Sequence, residues 1–449
     1  MNVDLIAAFD LQAPELVAFV GGGGKTSLMF SLAEALPGRV VTTTTTRIFA
    51  AQMKLAPAVC YANDLNQLGS ALSRFGMALV VGGVGSGKDK EKAMGVLPEL
   101  PGRLLARPDV DFVLVEADGS RMRPIKAPAA HEPVIPPGTT LVVPTMGIDA
   151  LNGRIADIAH RPELVLSLLR RASSVNDRLT PQDAAILLTH PQGGLKGVPE
   201  QARVIPFINK VETAVQLTAA RQIAHHILRR TQDAARIPQV VIGATQADNP
   251  VRELHKRVTA VILAAGQSKR MGQTKQLLPW GETTVLGQTL RNLRATAVHD
   301  IVVVAGHEAE KVTAVAQEEG ASVIFNPDYV KGEMLSSLQT AIAQLHESVT
   351  AVLVMMADQP MIEPAHIDRL LEAYWQGRGA LIAPSFEGRR GNPVLIGRAF
   401  FDELLALPPD SAPRHLVRRH QDKLHLVEIP TTAVLHDLDN PEDYARWRP

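Results

Sequence analysis

The sequence predicts an α/β protein of two domains, and three observations carry that expectation. Its 449 residues are too many for one ordinary core, so two domains of roughly 200 residues each are the natural division. Short β-branched apolar runs alternate with glycine or polar turns and longer helix-like segments, the pattern of a parallel sheet covered by helices. Each half also opens on a strand, a glycine loop and a helix, first at Val17-Ala-Phe-Val-Gly-Gly-Gly-Gly-Lys-Thr-Ser27 and again at Ala260-Val-Ile-Leu-Ala-Ala-Gly-Gln-Ser-Lys-Arg-Met-Gly272.

Strands are expected in the first half at 16–20, 39–43, 111–116, 140–144, 184–188, 203–208 and 239–242. In the second half they are expected at 260–264, 300–305, 321–325, 351–356 and 379–383. Between the sets, residues 248–257 are polar and carry Pro250, which suits a connection; the expected domains are 1–250 and 258–449, with 251–257 as linker. Lys plus Arg and Asp plus Glu both number 46, so no bulk charge favours nucleic acid or an anionic membrane, and a small-molecule partner is expected. The single cysteine, Cys60, excludes an internal disulfide and a cysteine-rich metal site. The opening residues carry no basic leader with a long apolar core, and no run approaches the ~20 apolar residues of a membrane span, so a cytoplasmic location is expected.

The second glycine loop carries the more specific chemistry. Ligands of open parallel sheets bind beyond the carboxyl ends of the strands, where loop amides converge on phosphates. Gly266 and Gly272 let the backbone approach such a ligand, while Arg270 and Lys275 supply positive charge to a triphosphate. A second buried strand, 351–356, leads into Asp358-Gln-Pro360, and a carboxylate there is placed for a magnesium ion (Mg2+) on triphosphate oxygens. Asp437 or Asp439, near the C-terminus, would complete the metal site; the same residue types also serve as helix caps and turns.

Leu263-Ala-Ala-Gly-Gln-Ser-Lys-Arg-Met-Gly272, Lys275-Gln-Leu-Leu-Pro279, Asn326-Pro-Asp-Tyr329 with Gly332-Glu-Met-Leu-Ser-Ser337, Asp358-Gln-Pro360, Arg389-Arg-Gly-Asn-Pro393 and Asp437-Leu-Asp-Asn-Pro441 together resemble the molybdenum cofactor cytidylyltransferases over residues 258–449. The resemblance implies a Rossmann-like nucleotidyltransferase that moves CMP from CTP to the phosphate of molybdopterin and releases pyrophosphate. It implies nucleotide binding by Leu263, Ala264, Ala265, Gly266, Arg270, Met271, Gly272 and Lys275, and catalysis by Arg270, Lys275 and Asp358. The metal would sit on Asp358 and Asp439, and the acceptor would meet Ser336, Ser337, Arg389, Arg390 and Asn392. Ala265 stands where guanylyl-transferring relatives usually carry a further glycine, which implies CTP over GTP. Ala357 and Asn392 depart from the usual glycine and histidine. Residues 408–415 match the family only loosely. A guanylyl or sugar-phosphate nucleotidyltransferase, or a non-catalytic delivery scaffold, are the alternatives.

The first loop has the strand, glycine turn, Lys-Thr and helix order of a phosphate-binding P-loop, with Phe19 where the standard motif has its first glycine. Gly22, Gly23, Gly24, Lys25, Thr26 and Ser27 would hold ATP or GTP, Lys25 as a solvated loop cation and Thr26 on the metal side. Glu116 and Asp118, at the end of another strand, would be the second acidic element. Phe207-Ile-Asn-Lys-Val-Glu212 echoes the guanine-reading Asn-Lys-x-Asp of GTPases, with glutamate last. Gly22-Gly-Gly-Lys-Thr26, Thr42-Thr-Thr-Thr-Thr46, Glu116-Ala-Asp-Gly-Ser120, Lys126-Ala-Pro128, His131-Glu-Pro133 and His160-Arg-Pro162 resemble YqeC over residues 14–245, an accessory protein associated with selenium-dependent molybdenum hydroxylases. That resemblance implies a client hydroxylase as partner. Thr42–Thr46 would form a strand or a switch-like turn, and His131 and His160 are structural or ligating histidines.

Overall fold

The computed structural model describes residues 4–85, 92–170, 173–230, 236–268, 271–330 and 333–449. The chain divides into two compact units, one running to His255 and the other from Lys256 onward.

The first unit is built on a ten-stranded sheet. Its strands are β1 (Glu15–Gly21), β2 (Val40–Thr44), β3 (Val59–Tyr61), β4 (Met77–Val81), β5 (Phe112–Glu116), β6 (Leu141–Gly147), β7 (Phe207–Asn209), β8 (Gln239–Gly243) and β9 (Val251–Lys256), with the two-residue strand Arg203–Val204 beside β6. The order across the sheet is β9-β8-β7-β6-β1-β5-β2-β4-β3. β1 lies parallel to both β6 and β5 at the centre, with Phe19 opposite Val143 on one side and Glu116 on the other. Val17, Ala18, Phe19, Val113, Leu114, Val142 and Val143 are all fully buried, as strands covered on both faces require. This register brings Gly21, Glu116 and Thr145 to one edge.

Residues 184–188, expected as a strand, instead lie inside helix α2 (Pro181–Thr189), α1 being Lys25–Ala35. Thr180 and Asp183 form a capping box with Pro181 in the first turn, and that start signal outweighs an apolar run which periodicity cannot assign. The proposed linker is corrected too, because Val251–Lys256 is β9, a strand on the edge of the sheet. Its polar composition suited a linker, yet Glu253 and His255 are each 1% exposed. The Arg221 guanidinium on helix α3 (Ala214–Arg230) pairs with Glu253 at 2.6 Å, and the His255 ring lies 3.1 Å from the same carboxylate.

The second unit is an eight-stranded mixed sheet of β10 (Val258–Ala264), β11 (Asp300–Ala305), β12 (Ser322–Phe325), β13 (Ala351–Met356), β14 (Leu381–Phe386), β15 (Val394–Gly397) and β16 (Leu424–Glu428), with the short strand Arg389–Arg390. β12, β11, β10 and β13 run parallel in that order, β15 is antiparallel to β13 and β14, and β16 pairs with β14. β15 and β16 were not anticipated. Helices such as α4 (Val285–Arg294) and α6 (Pro364–Trp375) bury Leu286, Leu290, Leu370 and Leu371 against β10 and β13; α5 is Glu333–Ile342. Among the described residues, no helix is long and apolar enough to cross a membrane.

The Arg221–Glu253–His255 cluster predicts an acid dependence. Burial works against the Glu253 charge, but hydrogen bonds from His255 and Arg221 outweigh it and hold the carboxyl at about 2. A carboxyl depressed on folding adds stability above its unfolded value and loses it as pH falls through the folded one. The stability gap between wild type and Glu253→Gln, measured by urea unfolding, should therefore be constant above about pH 5 and close as pH falls from about 4.5 towards 2.

Candidate functional site

In the second unit, β10 and β13 run side by side to a common edge, Leu263 opposite Met356, and a cleft of about 250 Å³ opens there. Leu263, Ala264, Gly266, Lys275, Asp358 and Asp439 are among its walls. Met271 also lines it, and Gly272 takes the left-handed conformation (φ +66°) with open space where a side chain would stand. Ala265 is packed hard against the next strand end, since a Cβ on Gly306 would come within 2.8 Å of the Ala265 methyl. Arg270 lies outside the described residues.

Asp358 is 2% exposed and pairs directly with Lys275, whose ammonium also reaches Asp439 at 3.1 Å. Burial pushes the Asp358 carboxyl above its ordinary range against the pull of Lys275. Burial likewise opposes the Lys275 charge, yet Asp358 outweighs it and raises the lysine. The second Asp358 oxygen, Oδ1, is buried with no hydrogen-bond partner. Buried carboxylate oxygens are rarely left so, and an orphan beside a cation is what a displaceable metal position looks like. Among the described residues no group of three or more His, Cys, Asp or Glu is disposed around one point, so a metal here would rest on Asp358 and Asp439 and take its other oxygens from phosphate and water. Asp437 is occupied differently: Gln359 donates to it at 2.7 Å, and burial together with the Asp358 charge pushes its carboxyl up to about 6.

Two glutamines that the sequence reading passed over organise this edge. Gln276, 3% exposed, donates to the Ala264 carbonyl at 3.0 Å, and its Oε1 lies 3.2 Å from the Ser268 hydroxyl, which accepts from the Lys275 amide. Gln359, fully buried, fixes Asp437. Both sit inside motifs quoted above, where a neutral amide beside a charged residue gave no signal of its own. The expected acceptor residues separate. Asn326 donates to the Ser336 and Ser337 hydroxyls at 2.9 and 3.0 Å, Ser337 being 2% exposed. Arg389 and Arg390 are exposed on their short strand, and Asn392 is fastened through its amide to the Val434 carbonyl.

The first unit repeats the arrangement with its own residues. β1 ends in Gly21–Gly24 and α1 starts at Lys25. Gly23 has φ +73°, and a Cβ there would come within 2.0 Å of the Gly147 amide nitrogen, so only glycine fits. Lys25 is not a solvated loop cation as expected. It is 3% exposed, donates to the Gly21 carbonyl at 2.7 Å and pairs with Asp118 at 3.2 Å. Thr26 donates to Glu116 at 2.6 Å and accepts from Gln52 at 3.2 Å, while burial pushes the Glu116 carboxyl up against the pull of Lys25. Both Asp118 oxygens accept from the Gly21 amide at 3.1 Å. Gly22 donates to Thr145. Ser27 is half-buried.

The histidine motifs contribute through their neighbours. Lys126, 2% exposed at its side chain, pairs with Asp118 at 3.1 Å and Glu132 at 2.8 Å, and Arg161 closes on Glu132 at 2.6 Å. Burial opposes the Glu132 charge, but Arg161 and Lys126 hold its carboxyl at about 2. His131 is exposed, and His160 keeps a buried Nδ1 without a partner while burial lowers its pKa. Thr42, Thr43 and Thr44 are buried in β2, and the Thr44 hydroxyl donates to the Glu116 carbonyl at 3.0 Å.

The YqeC protein family matches residues 17–163, and the MobA-like NTP transferase domain matches residues 260–424. The chain is 32% identical over 227 residues to the uncharacterized protein YqeC of Escherichia coli K12, a match covering 50% of this chain and 86% of that one. It is 26% identical to the molybdenum cofactor cytidylyltransferase of the same organism, over 42% of this chain and 93% of the relative. It is also 29% identical to the nicotine blue oxidoreductase of Paenarthrobacter nicotinovorans, over 42% of this chain and 95% of that protein.

The burial of Lys25 changes what its removal should do. In Lys25→Ala, Asp118 keeps Lys126 and the Gly21 amide, so unfolding stability should fall by roughly 1 to 3 kcal/mol, short of the roughly 3–5 kcal/mol for stripping a buried charge of its only partner. Urea unfolding unchanged from wild type would show that the ion pair contributes nothing.

Proposed function

Because the chain belongs to the YqeC family through its first unit and carries a MobA-like NTP transferase domain as its second, we propose that it is a two-site protein of molybdenum cofactor maturation. The second unit transfers CMP from CTP to the phosphate of molybdopterin, and the first binds a purine nucleoside triphosphate in support of a client molybdenum hydroxylase. The observation that carries the first half is the Lys275–Asp358–Asp439 cluster at the cleft, with its unpartnered Asp358 oxygen. Transfer of a nucleotidyl group needs charge neutralisation and in-line positioning more than a protein nucleophile. An acceptor phosphate oxygen forms a bond to the α-phosphorus as the bond to the bridging oxygen breaks and pyrophosphate leaves.

The chain's own residues divide that work. Gly266 and Gly272 admit the phosphates to the backbone, and Lys275 exchanges a carboxylate for the triphosphate as the nucleotide enters. A magnesium ion on Asp358 and Asp439 would neutralise the charge that builds on the leaving pyrophosphate. Ala265, buried next to Gly306 at the start of the nucleotide loop, is the residue through which the resemblance favours CTP over GTP. In the first unit, Lys25 and Thr26 would take the phosphates and the metal-side position, with Glu116 and Asp118 as the acidic partners.

Two outcomes are expected. kcat/KM for CTP should exceed that for GTP by the equivalent of roughly 1–3 kcal/mol, about 5- to 150-fold, measured as pyrophosphate release with molybdopterin as acceptor. Equal turnover of both nucleotides would refute the assignment. Asp358→Asn keeps the side-chain size but removes the metal-binding charge, so transfer should fall by about two or more orders of magnitude with a smaller loss of CTP affinity.

A further inference from the structure

We propose that Ser268 is a positioning residue for nucleotidyl transfer in the second unit: its hydroxyl, braced by Gln276, fixes the main chain of Lys275 and thereby the place where the Lys275 ammonium meets the triphosphate. The inference rests on the reading of the cleft as a CTP site and adds a residue that acts through Lys275.

Backbone geometry singles Ser268 out. It has φ +49°, in the left-handed region that residues other than glycine enter only at a cost. Glycine would take the same conformation without strain, so what serine adds at this point is its hydroxyl. That hydroxyl is engaged on both sides: Oγ accepts from the Lys275 amide at 3.1 Å and donates to Gln276 Oε1 at 3.2 Å. Gln276 is 3% exposed and anchored at its other end, where Nε2 donates to the Ala264 carbonyl at 3.0 Å and lies 3.4 Å from that of Gly266. The Ser268 carbonyl in turn accepts from the Met271 amide at 2.9 Å. A continuous line of hydrogen bonds therefore runs from the end of β10 through Gln276 and Ser268 to the main chain of Lys275.

The Lys275 amide needs such a partner. Lys275–Leu277 form a single 3-10 turn, and the first amides of a helical turn find no acceptor within it. Thr274 stands in the cap position but gives the turn no side-chain hydrogen bond, because its hydroxyl donates to Glu308. Ser268, seven residues earlier, supplies the acceptor from across the loop. What that bond holds still is the root of a long, flexible side chain, whose ammonium reaches Asp358 and Asp439. An ammonium that leaves a carboxylate for a phosphate keeps its aim only if the main chain beneath it stays fixed. Ser268, Lys275, Gln276 and Asp358 all line the same cleft, so this brace stands at the edge where the transfer is proposed.

The test is a double-mutant cycle on CTP binding by the full-length chain with magnesium, read by calorimetry in wild type, Ser268→Gly, Lys275→Met and the double variant. Glycine keeps the turn and relieves the strain, and methionine keeps an apolar stem without the charge; Lys275→Gln is the second neutral replacement if Lys275→Met does not fold. Any CTP held by the first unit is common to the four proteins and cancels in the cycle. Ser268→Gly should weaken CTP by about five- to thirtyfold with Lys275 present, the scale of one amide losing its acceptor, and by less than about twofold with Lys275 replaced. Ser268→Ala, which keeps the Cβ but not the hydroxyl, should weaken CTP at least as much. An equal loss in both backgrounds would show Ser268 acting without Lys275, and no loss in either would make it an ordinary turn residue. A loss in Ser268→Ala alone would assign the effect to backbone strain. Each of these results overturns the inference and leaves the CTP site standing, whereas absence of CTP binding by the folded wild-type chain would overturn both.

Discussion

Each unit of this protein places a carboxylate in its interior at the end of a strand, beside the glycine loop of the unit's first strand, and must compensate that charge. A buried ionised carboxylate without a partner is too costly to persist, so a cation has to be held against it. Lys25 and Lys126 do this for Asp118, and Lys275 does it for Asp358. The glycines follow from the same requirement. A loop that carries a lysine back over its own strand end has to turn tightly against neighbouring backbone, as at Gly23, where any side chain would collide with Gly147.

The two solutions differ in a way that bears on chemistry. Asp118 has two lysines and the Gly21 amide shared between its oxygens, so it would stay compensated if one lysine turned to a phosphate. Asp358 has one lysine and one bare oxygen, so a lysine that leaves for a triphosphate must be replaced by another cation. In the proposed reaction the second arrangement would couple nucleotide entry to metal entry, which suits a site where charge must be neutralised on the leaving group. The first keeps its electrostatics nearly constant, which suits a site whose output is a bound state.

Much of this was legible in the sequence because glycine, lysine and aspartate at strand ends carry conformational and charge signals that few other residues share. The central strands, both glycine loops, Asp358 and the division into two units were read from such signals, and the family resemblances supplied the proposed reaction and pathway. What escaped was context. An apolar pentapeptide at 184–188 has no period that separates strand from helix, and only the cap at Thr180 decides it. The charged residues of β9 suited a linker because the partner of Glu253, Arg221, lies in an earlier helix. His131 and His160 stand out chemically, whereas the ion pairs form between Lys126 and their immediate neighbours, Glu132 and Arg161. Lys25 looked solvated because its compensating Asp118 lies in a distant motif.

In the proposed reaction Lys275 exchanges Asp358 for a triphosphate while a cation takes the vacated carboxylate. A crystal structure of the chain with CTP and manganese, with the metal located by anomalous scattering, tests this directly. The metal is expected on Asp358 Oδ1 and Asp439, with Lys275 drawn to the phosphates and CTP lying along Leu263–Gly272. CTP bound elsewhere, or bound there with the Lys275–Asp358 pair intact and no metal on Asp358, would contradict it.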